Sequence, residues 1–297
     1  MSPAAPFADR LAALVSERRS QVCLGLDPDP AKLVQRQGPG DGDGDPAERA
    51  AAAVLAGCRN LIAAAGPACV AVKPQLACFE RLGAPGWAAL TEVCAAAREA
   101  GLLTIADGKR GDVPVTAAAY AQALVGQTAT PWGEVRGLGA DAFTANPLLG
   151  RDALEPLVSA AEQAGAGIFV LVRTSNPGAA DFEDLPAPER PLHEALARGV
   201  DELADRLAGS EGLSGAGAVV GATEPERIAR LRELMPRSVF LMPGVGAQGG
   251  RPEALGAAFA PGPAAGLVAA SRSIAADPDP GAAAEGLRAA VWEVSTA

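Results

Sequence analysis

The chain has 297 residues, of which 49% are hydrophobic, and it carries a net charge of −10 at pH 7. This length is enough to bury a large core, and α/β barrels commonly reach it as a single domain. A nucleic-acid-binding protein needs clustered Lys and Arg to neutralise phosphates, and the sequence shows no such cluster. We therefore expect no nucleic-acid partner, although an acidic chain can still bind a small anion through local charge and backbone amides.

The five cysteines are odd in number and form no CxxC motif and no Cys/His pairing at zinc spacing. We expect reduced and mostly buried thiols, which fits a reducing cytoplasm. Charged residues around short apolar groups near the N-terminus predict an amphipathic helix rather than a signal peptide. No uninterrupted apolar run has the length of a membrane span, so a membrane partner is not expected.

Short apolar segments alternate along the chain with longer amphipathic or alanine-rich segments. Near-continuous apolar strands separated by helices predict a parallel sheet covered by helices. Eight such units favour a closed (β/α)8 TIM barrel over an open doubly wound sheet. The predicted strands are Val22–Leu26, Cys69–Lys73, Leu102–Asp107, Asp141–Ala145, Gly167–Arg173, Ala216–Gly221, Val239–Met242 and Gly266–Ala270.

Two segments interrupt the alternation of strands and helices. The Gly/Asp-rich segment Gln37–Pro46 predicts a flexible surface loop, and Gln127–Gly139 predicts an irregular insertion. Neither has the composition of an interdomain linker, so residues 1–297 are expected to form one barrel domain with an N-terminal helix and loop insertions. The predicted helices are Ala47–Ala65, Trp87–Ala100, Val115–Val125, Asp152–Ala164, Pro191–Ala208, Pro225–Met235 and Gly281–Val294.

Only three of the 25 basic residues are lysines, and two of them follow apolar runs. Lys73 ends the second predicted strand, and Lys109 lies just beyond the third. A chain that uses Arg for generic positive charge suggests a specific role for a retained Lys, because an ammonium group can lose its proton at accessible pH whereas a guanidinium effectively cannot. A GC-rich genome would also make lysine rare, and Lys73 alone could be a snorkelling surface residue. Neither alternative explains why both lysines follow strands.

The segment Asp107–Asp112, with the sequence DGKRGD, carries the strongest indication of chemistry. Asp107 and Lys109 are two residues apart, so in an extended chain their side chains share a face. Asp112 opens the following helix, where a carboxylate suits both the N-cap and the helix dipole. The alternative is a helix start with incidental charges. Barrel active sites form at the carboxyl ends of the strands, where this segment lies.

A second indication is the glycine-rich turn Pro243–Gly250 after the seventh predicted strand, followed by Ser271 and Arg272 after the eighth. Glycines let backbone N–H groups approach a ligand closely. Loops after strands seven and eight are the usual phosphate site of this fold, and Arg adds a bidentate partner.

Other polar residues at strand ends are Asp27, Asn146 and Ser175. Any one of them could merely cap a helix or hold a loop. His193, the single histidine, lies in a polar stretch and is expected at the surface. With one histidine and no supporting residues, neither a Ser-His-Asp hydrolase nor a histidine metal site is expected.

Taken together, these residues resemble the orotidine 5′-phosphate decarboxylase family, and in particular its larger bacterial subgroup with the DxKRGD motif. The resemblance covers essentially the whole chain, and the DxKRGD string with its distance from Lys73 is its specific part. It rests on Leu24-Gly25-Leu26-Asp27-Pro28, Val72-Lys73-Pro74, Asp107–Asp112, Thr174-Ser175-Asn176-Pro177-Gly178, Pro243–Gly250 and Ser271-Arg272-Ser273-Ile274.

The resemblance implies a cofactor-independent enzyme without a metal that converts orotidine 5′-phosphate (OMP) to UMP as a homodimer with composite active sites. Each residue has an expected role. A charged tetrad would be formed by Lys73, Asp107, Lys109 and Asp112, in which Lys109 protonates C6 and Asp112 reaches the partner's site with Thr116. Asp27 and Lys73 would bind the ribose, and Ser175 would bind the pyrimidine. Gln248 and Arg272 would hold the phosphate, with Pro243 and Ser271 beside them. Asn146 has no assigned counterpart, and Asp181–Arg190 departs from compact members of the family.

Two alternatives remain open at this point. A Mg²⁺-dependent sugar-phosphate lyase or synthase of the same barrel superfamily would need extra carboxylates at the strand ends, whereas the second strand ends in Lys73. A non-catalytic nucleotide-binding barrel would place no constraint on the two lysines.

Overall fold

The computed structural model describes residues 5–37, 44–188, 190–246 and 248–297. Its strands are β1 (Val22–Leu26), β2 (Ala71–Pro74), β3 (Leu103–Arg110), β4 (Gln127–Thr130), β5 (Gly133–Arg136), β6 (Ala142–Ala145), β7 (Gly167–Arg173), β8 (Ser214–Val220), β9 (Ser238–Pro243) and β10 (Gly266–Ala270). Eight of them close into a parallel barrel in the order β1-β10-β9-β8-β7-β6-β3-β2, while β4 and β5 form a separate pair. The predicted (β/α)8 barrel is therefore confirmed, and β1, β7 and β10 have the predicted bounds.

Helices connect the barrel strands and cover them on the outside. The helix predicted at Pro191–Ala208 ends earlier, at Asp201, and several short helices at the strand ends were not predicted. The α-helices are α1 (Phe7–Arg18), α2 (Pro30–Gln37), α3 (Pro46–Ala65), α4 (Leu76–Glu80), α5 (Gly83–Glu99), α6 (Pro114–Leu124), α7 (Arg151–Ala164), α8 (Ala179–Phe182), α9 (Leu192–Asp201), α10 (Pro225–Leu234), α11 (Arg272–Ala275) and α12 (Pro280–Thr296).

Alternation along the strands divides the apolar side chains between two cores. Along β9, Val239 and Leu241 belong to a cluster inside the barrel, whereas Phe240 and Met242 belong to the cluster between strands and helices. Successive side chains of a strand point to opposite faces, so this division follows from the backbone. The same rule decides which residues at the strand ends face the barrel mouth.

Helix α1 closes the amino-terminal end of the barrel. Phe7 is buried, and its ring meets the ring of Phe169 edge-on with centroids 5.8 Å apart. Gly167, at the start of β7, makes room for this contact, because a Cβ there would lie 2.5 Å from Phe7 Cδ1. Since α1 covers this end, a ligand would enter at the carboxyl ends of the strands, where the active sites of this fold form.

The insertion Gln127–Gly139, predicted to be irregular, contains a β-hairpin instead. β4 and β5 pair antiparallel from Gln127 opposite Arg136 to Thr130 opposite Gly133. Nearly all residues of both strands are exposed, so the hairpin lacks the apolar face by which a half-buried strand is recognised in sequence. Trp132, in the turn, is 93% exposed.

One helical segment of the described chain, Pro46–Ala68, has the length and mean hydropathy (1.3) of a membrane span. The expectation that no uninterrupted apolar run reaches this length still holds, because Arg59 interrupts the segment; its alanines account for the high mean hydropathy. Val54 and Ile62 of this segment are buried in the outer core of the barrel. The loop predicted before it falls largely on residues 38–43, which lie outside the described residues.

The prediction of reduced thiols is confirmed, because all five cysteines are free. Cys78 is half-buried and the other four are buried. Burial raises the pKa of Cys23 to about 12, so this thiol stays protonated and serves as a small apolar side chain.

Candidate active site at the carboxyl ends of the strands

Two charged residues face the barrel mouth because of their positions on neighbouring strands. Ala71 of β2 and Ile105 of β3 belong to the cluster inside the barrel. Lys73 and Asp107 lie two residues further along the same strands, so they point in the same direction at the open end. Since β2 and β3 are adjacent, the side chains of Lys73 and Asp107 meet and form a buried ion pair.

Asp107 is 3% exposed, and its carboxylate accepts hydrogen bonds on both oxygens. Oδ2 accepts from Lys73 Nζ and, at 3.4 Å, from Gln75 Nε2. Oδ1 accepts from Lys109 Nζ at 2.6 Å and from Thr144 Oγ1 at 2.9 Å. A buried carboxylate is expensive unless it is paired and hydrogen-bonded, and these four donors meet that requirement.

The two lysines set the charge state of this array. Burial alone would raise the pKa of Asp107, but Lys73 and then Lys109 lower it to about 2. Burial likewise opposes the charge on Lys73, yet the negative charges of Asp107 and Asp27 outweigh burial, so the pKa of Lys73 is raised. Lys73 and Asp107 therefore remain ionised throughout the neutral range.

Lys109 is the more accessible of the two lysines, with a side chain 41% exposed against 11% for Lys73. Its backbone is left-handed, with φ 49°, and its N–H donates to Thr144 Oγ1 at 2.8 Å. The ammonium of Lys109 thus contacts Asp107 while its side chain stays partly accessible to solvent.

Asp112 and Thr116 lie at the start of α6, away from this array. Asp112 Oδ1 accepts from Val113 N at 2.7 Å, and no described basic residue of its own chain forms an ion pair with Asp112. The structure therefore brings three of the four predicted charged residues together and leaves Asp112 apart. Asn146, for which no role was predicted, holds a turn through the bond from Leu148 N to its Oδ1, at 3.0 Å.

A cleft of about 100 Å³ opens beside Lys73 on the β1, β9 and β10 side of the mouth. It brings together most of the predicted substrate residues from three separate parts of the chain. Its lining includes Asp27, Lys73, Pro243, Gln248, Ser271 and Arg272.

Glycines shape this cleft by keeping its walls close. A Cβ on Gly25 would lie 2.7 Å from Ser271 Cβ, so β1 and the end of β10 can approach only without a side chain there. Gly244 and Gly246 have φ of 109° and 76°, which glycine adopts readily. Arg272 is exposed and forms no ion pair with any described residue, so its guanidinium is available to an anion.

Ser175 lies next to the glycine-rich turn. A Cβ on Gly244 would lie 3.2 Å from Ser175 Cβ and 3.3 Å from Gln248 Oε1. Likewise, a Cβ on Gly221 would lie 2.9 Å from Ser175 Cα. The segment after β7 and the turn after β9 therefore meet at one point, where a single ligand could contact both.

The prediction that His193 lies at the surface is wrong, because this residue is 4% exposed. Its Nδ1 is 2.9 Å from Glu183 O and 3.1 Å from Asp184 Oδ1. The neighbouring acidic residues Glu183 and Asp184 are partners of His193 in a largely buried network.

Arg173, at the end of β7, is the centre of that network and was not predicted. Its guanidinium donates to Asp184 at 3.0 and 3.1 Å and to Glu224 at 2.9 Å. Glu183 accepts from Thr174 N at 2.8 Å. These bonds anchor the residues immediately before Ser175. The sequence did show a charged residue at the end of an apolar strand, which could have indicated a role for Arg173. Its acidic partners Asp184 and Glu224 could not be identified, because they lie further along the chain.

Fold and site together define a (β/α)8 barrel enzyme with a lysine–carboxylate array beside a glycine-lined cleft that reaches Arg272. The sequence profile of the "Orotidine 5′-phosphate decarboxylase / HUMPS family" matches residues 20–287. The chain therefore belongs to this family.

Individual relatives agree with this assignment. The orotidine 5′-phosphate decarboxylases of Rhodopirellula baltica and Deinococcus radiodurans are each 41% identical over 90% of this chain, and the matches cover 87% and 88% of those proteins. The solved structure of Leishmania donovani OMP decarboxylase is 33% identical, with a TM-score of 0.75, and covers 98% of this chain and 99% of its own.

The charge array predicts a pH-dependent contribution to stability. Because the pKa of Asp107 is about 2 in the fold against an ordinary 3.8, its ionisation stabilises the fold by about 2 kcal/mol above roughly pH 4. This stabilisation is lost as the pH falls through about 2. We therefore expect Asp107→Asn to unfold at lower urea concentration than wild type at pH 7, with the gap closing towards pH 2.

The control is Asp205→Asn, which removes an exposed carboxylate paired with Arg237 and should leave the urea midpoint nearly unchanged. Equal stability of Asp107→Asn and wild type at pH 7 would contradict the electrostatic interpretation.

Proposed function

We propose that this protein decarboxylates orotidine 5′-phosphate to UMP and CO2 in pyrimidine biosynthesis and needs no cofactor. The observation that carries the proposal is the Asp107 carboxylate held between Lys73 and Lys109, beside the glycine-lined cleft that reaches Arg272. The relatives named as orotidine 5′-phosphate decarboxylases support it.

The reaction breaks the bond between C6 of the pyrimidine and its carboxylate, and the electron pair stays on C6. That carbanion has no obvious resonance sink, so fixed charge has to stabilise it. The Lys109 ammonium can do so electrostatically and then donate its proton to C6, which gives UMP. Asp107 orders both ammonium groups and would lie near the departing carboxylate. Between turnovers, solvent can reprotonate Lys109, since its side chain is 41% exposed.

The remaining substrate contacts follow the shape of the mouth. The ribose would bind where Asp27 and Lys73 share the cleft, and the phosphate would bind at its far end. Binding energy from the phosphate, remote from C6, can serve the transition state. The proposed phosphate contacts are Gln248 and Arg272, with Pro243 and Ser271 beside them, and Ser175 would bind the pyrimidine.

We also infer a homodimer with composite sites, in which Asp112 and Thr116 of each chain complete the site of the partner subunit. Asp112 has no ionic partner among the described residues of its own chain, although it belongs to the motif that carries Lys109. The residues from 113 to 133 include no charged side chain, and Val115 in this run is 85% exposed. An uncharged surface with exposed apolar side chains is typical of a protein interface.

The array favours this activity over Mg²⁺-dependent sugar-phosphate chemistry on the same barrel. Both oxygens of Asp107 accept from ammonium groups, and the charge of Lys73 repels a cation. Within the described ranges, no group of three His, Cys, Asp or Glu side chains could hold a metal ion. A non-catalytic barrel would give no reason for two lysines to converge on one buried carboxylate. The free thiols support a reducing cytoplasmic location as part of the proposal.

Purified protein should convert orotidine 5′-phosphate to UMP at the same rate with and without EDTA, because the proposed chemistry uses only protein groups. Loss of absorbance on decarboxylation and chromatography of UMP measure the rate. Activity that disappears in EDTA and returns with Mg²⁺ would instead assign the chain to the metal-dependent enzymes. No turnover under either condition would favour the non-catalytic alternative.

Composite sites predict complementation between two inactive variants. Asp112→Ala mixed with Lys109→Ala should regain about a quarter of wild-type activity, because about half of the dimers are mixed and each has one intact site. The matched control is Asp107→Ala mixed with Lys109→Ala, which should regain nothing, since both residues belong to the same site. Subunit exchange is verified by mass spectrometry of tagged chains. No recovery despite exchange would mean that Asp112 acts within its own chain or not at all.

A further inference from the structure

Lys109 has an unusual backbone for the residue proposed to deliver a proton. Among the described residues other than glycine, only Lys109 and Arg19 have positive φ, and Arg19 merely ends helix α1. A left-handed backbone at a side-chain-bearing residue is strained and persists only where the surroundings impose it. The structure must therefore contain groups that hold Lys109 in this conformation.

The strain coincides with an irregularity in the pairing of β3 with β6. Ala106 is opposite Phe143 and Arg110 is opposite Ala145, so four steps along β3 match two steps along β6. The extra residues form a bulge that contains Lys109. In a regular strand, side chains two residues apart lie side by side without curling together. The bulge lets Lys109 Nζ turn back to within 2.6 Å of Asp107 Oδ1.

Arg110 fixes the carboxyl end of this bulge. Its guanidinium pairs with Glu80 at the end of α4 and lies over the ring of Tyr120 in α6, 5.3 Å from the centroid. Its carbonyl accepts from Asn146 N at 2.8 Å. Arg110 is thus tied to β6 and to the helices that follow β2 and β3, the strands that carry Lys73 and Asp107.

We propose that Arg110 is a positioning residue for Lys109: clamped between Glu80 and Tyr120, it holds the bulge that directs the Lys109 ammonium at the reacting carbon. The inference rests on the proposed role of Lys109 as proton donor. The Arg110 guanidinium is engaged by Glu80 and the Tyr120 ring, so Arg110 acts through the backbone rather than through the substrate. A clamp of this kind affects the chemical step more than substrate binding, because phosphate and ribose contacts lie on other strands.

The test compares kcat and KM for orotidine 5′-phosphate in Arg110→Met, which keeps an unbranched side chain but removes the charge and the planar stack. A misplacement near 1 Å can slow a reaction by about a hundredfold, so we expect kcat to fall between about tenfold and a hundredfold. KM and the dissociation constant of UMP should stay within about threefold of wild type. Arg110→Lys keeps the charge opposite Glu80 and should recover part of the lost kcat.

Two further variants keep the test decisive if Arg110→Met does not fold. Tyr120→Leu removes the stack and Glu80→Gln removes the ion pair, and each should lower kcat with KM unchanged. The matched control is Arg59→Met, which breaks the exposed pair with Glu92 and should change neither constant. The melting temperature of each variant is measured alongside.

Either of two results would overturn the proposal. A kcat within about threefold of wild type would show that Lys109 needs no clamp, and a parallel loss of UMP affinity would show a general structural role. Wild-type turnover in the same assay separates this inference from the proposed function. If wild type does not decarboxylate orotidine 5′-phosphate, the proposed function itself is rejected. If wild type does so and Arg110→Met is unimpaired, only the positioning role of Arg110 is rejected.

Discussion

The candidate active site depends on one interaction, in which the buried Asp107 carboxylate is held between two ammonium groups. A charge taken out of water has to be compensated, and here Lys73 and Lys109 do so from neighbouring positions on β2 and β3. The barrel makes this possible because adjacent strands keep a fixed register. Thr144 and Gln75 use the remaining acceptor capacity of the carboxylate, so protein groups alone satisfy the charge and its hydrogen bonds.

The residues at the barrel mouth form two groups on different strands. The lysine–carboxylate array lies on β2 and β3, whereas the glycine-lined cleft lies between β1, β9 and β10. Lys73 contributes to both groups. Ser175 and Gln248 meet near Gly244 at the boundary, and the Arg173 network anchors the segment before Ser175. The two groups are therefore connected by packed strand ends, and in the proposed reaction this connection would let binding energy from a remote phosphate act on the reacting carbon.

The sequence predicted most of the barrel because apolar alternation and strand-end charges are local properties. Three strands had the observed bounds, and Lys73, Asp107 and Lys109 converge as the strand positions implied. The hairpin at Gln127–Arg136 was missed because it buries no apolar face. His193 was misplaced because its partners become close only through folding.

Two further features depend on long-range packing and have no local indication in sequence. Arg232 is 5% exposed and donates to the carbonyls of Met235, Ser238, Ala258 and Ala265 instead of pairing with a carboxylate. The left-handed backbone of Lys109 arises from the bulge between β3 and β6, which residue types alone do not predict. The existence of the strands and the residue types at their ends could thus be predicted, whereas the left-handed backbone of Lys109 could not.

The most direct test of the central claim restores an ammonium group at one position. Lys109→Cys should decarboxylate orotidine 5′-phosphate at least about a hundredfold more slowly than wild type, the scale of a lost general acid. Treatment with 2-bromoethylamine converts that cysteine to an aminoethyl side chain of nearly the length of lysine. Treated wild type controls for reaction at the half-buried Cys78. Our account predicts that kcat rises at least about tenfold on modification; a kcat that stays low while mass spectrometry shows complete modification would contradict it.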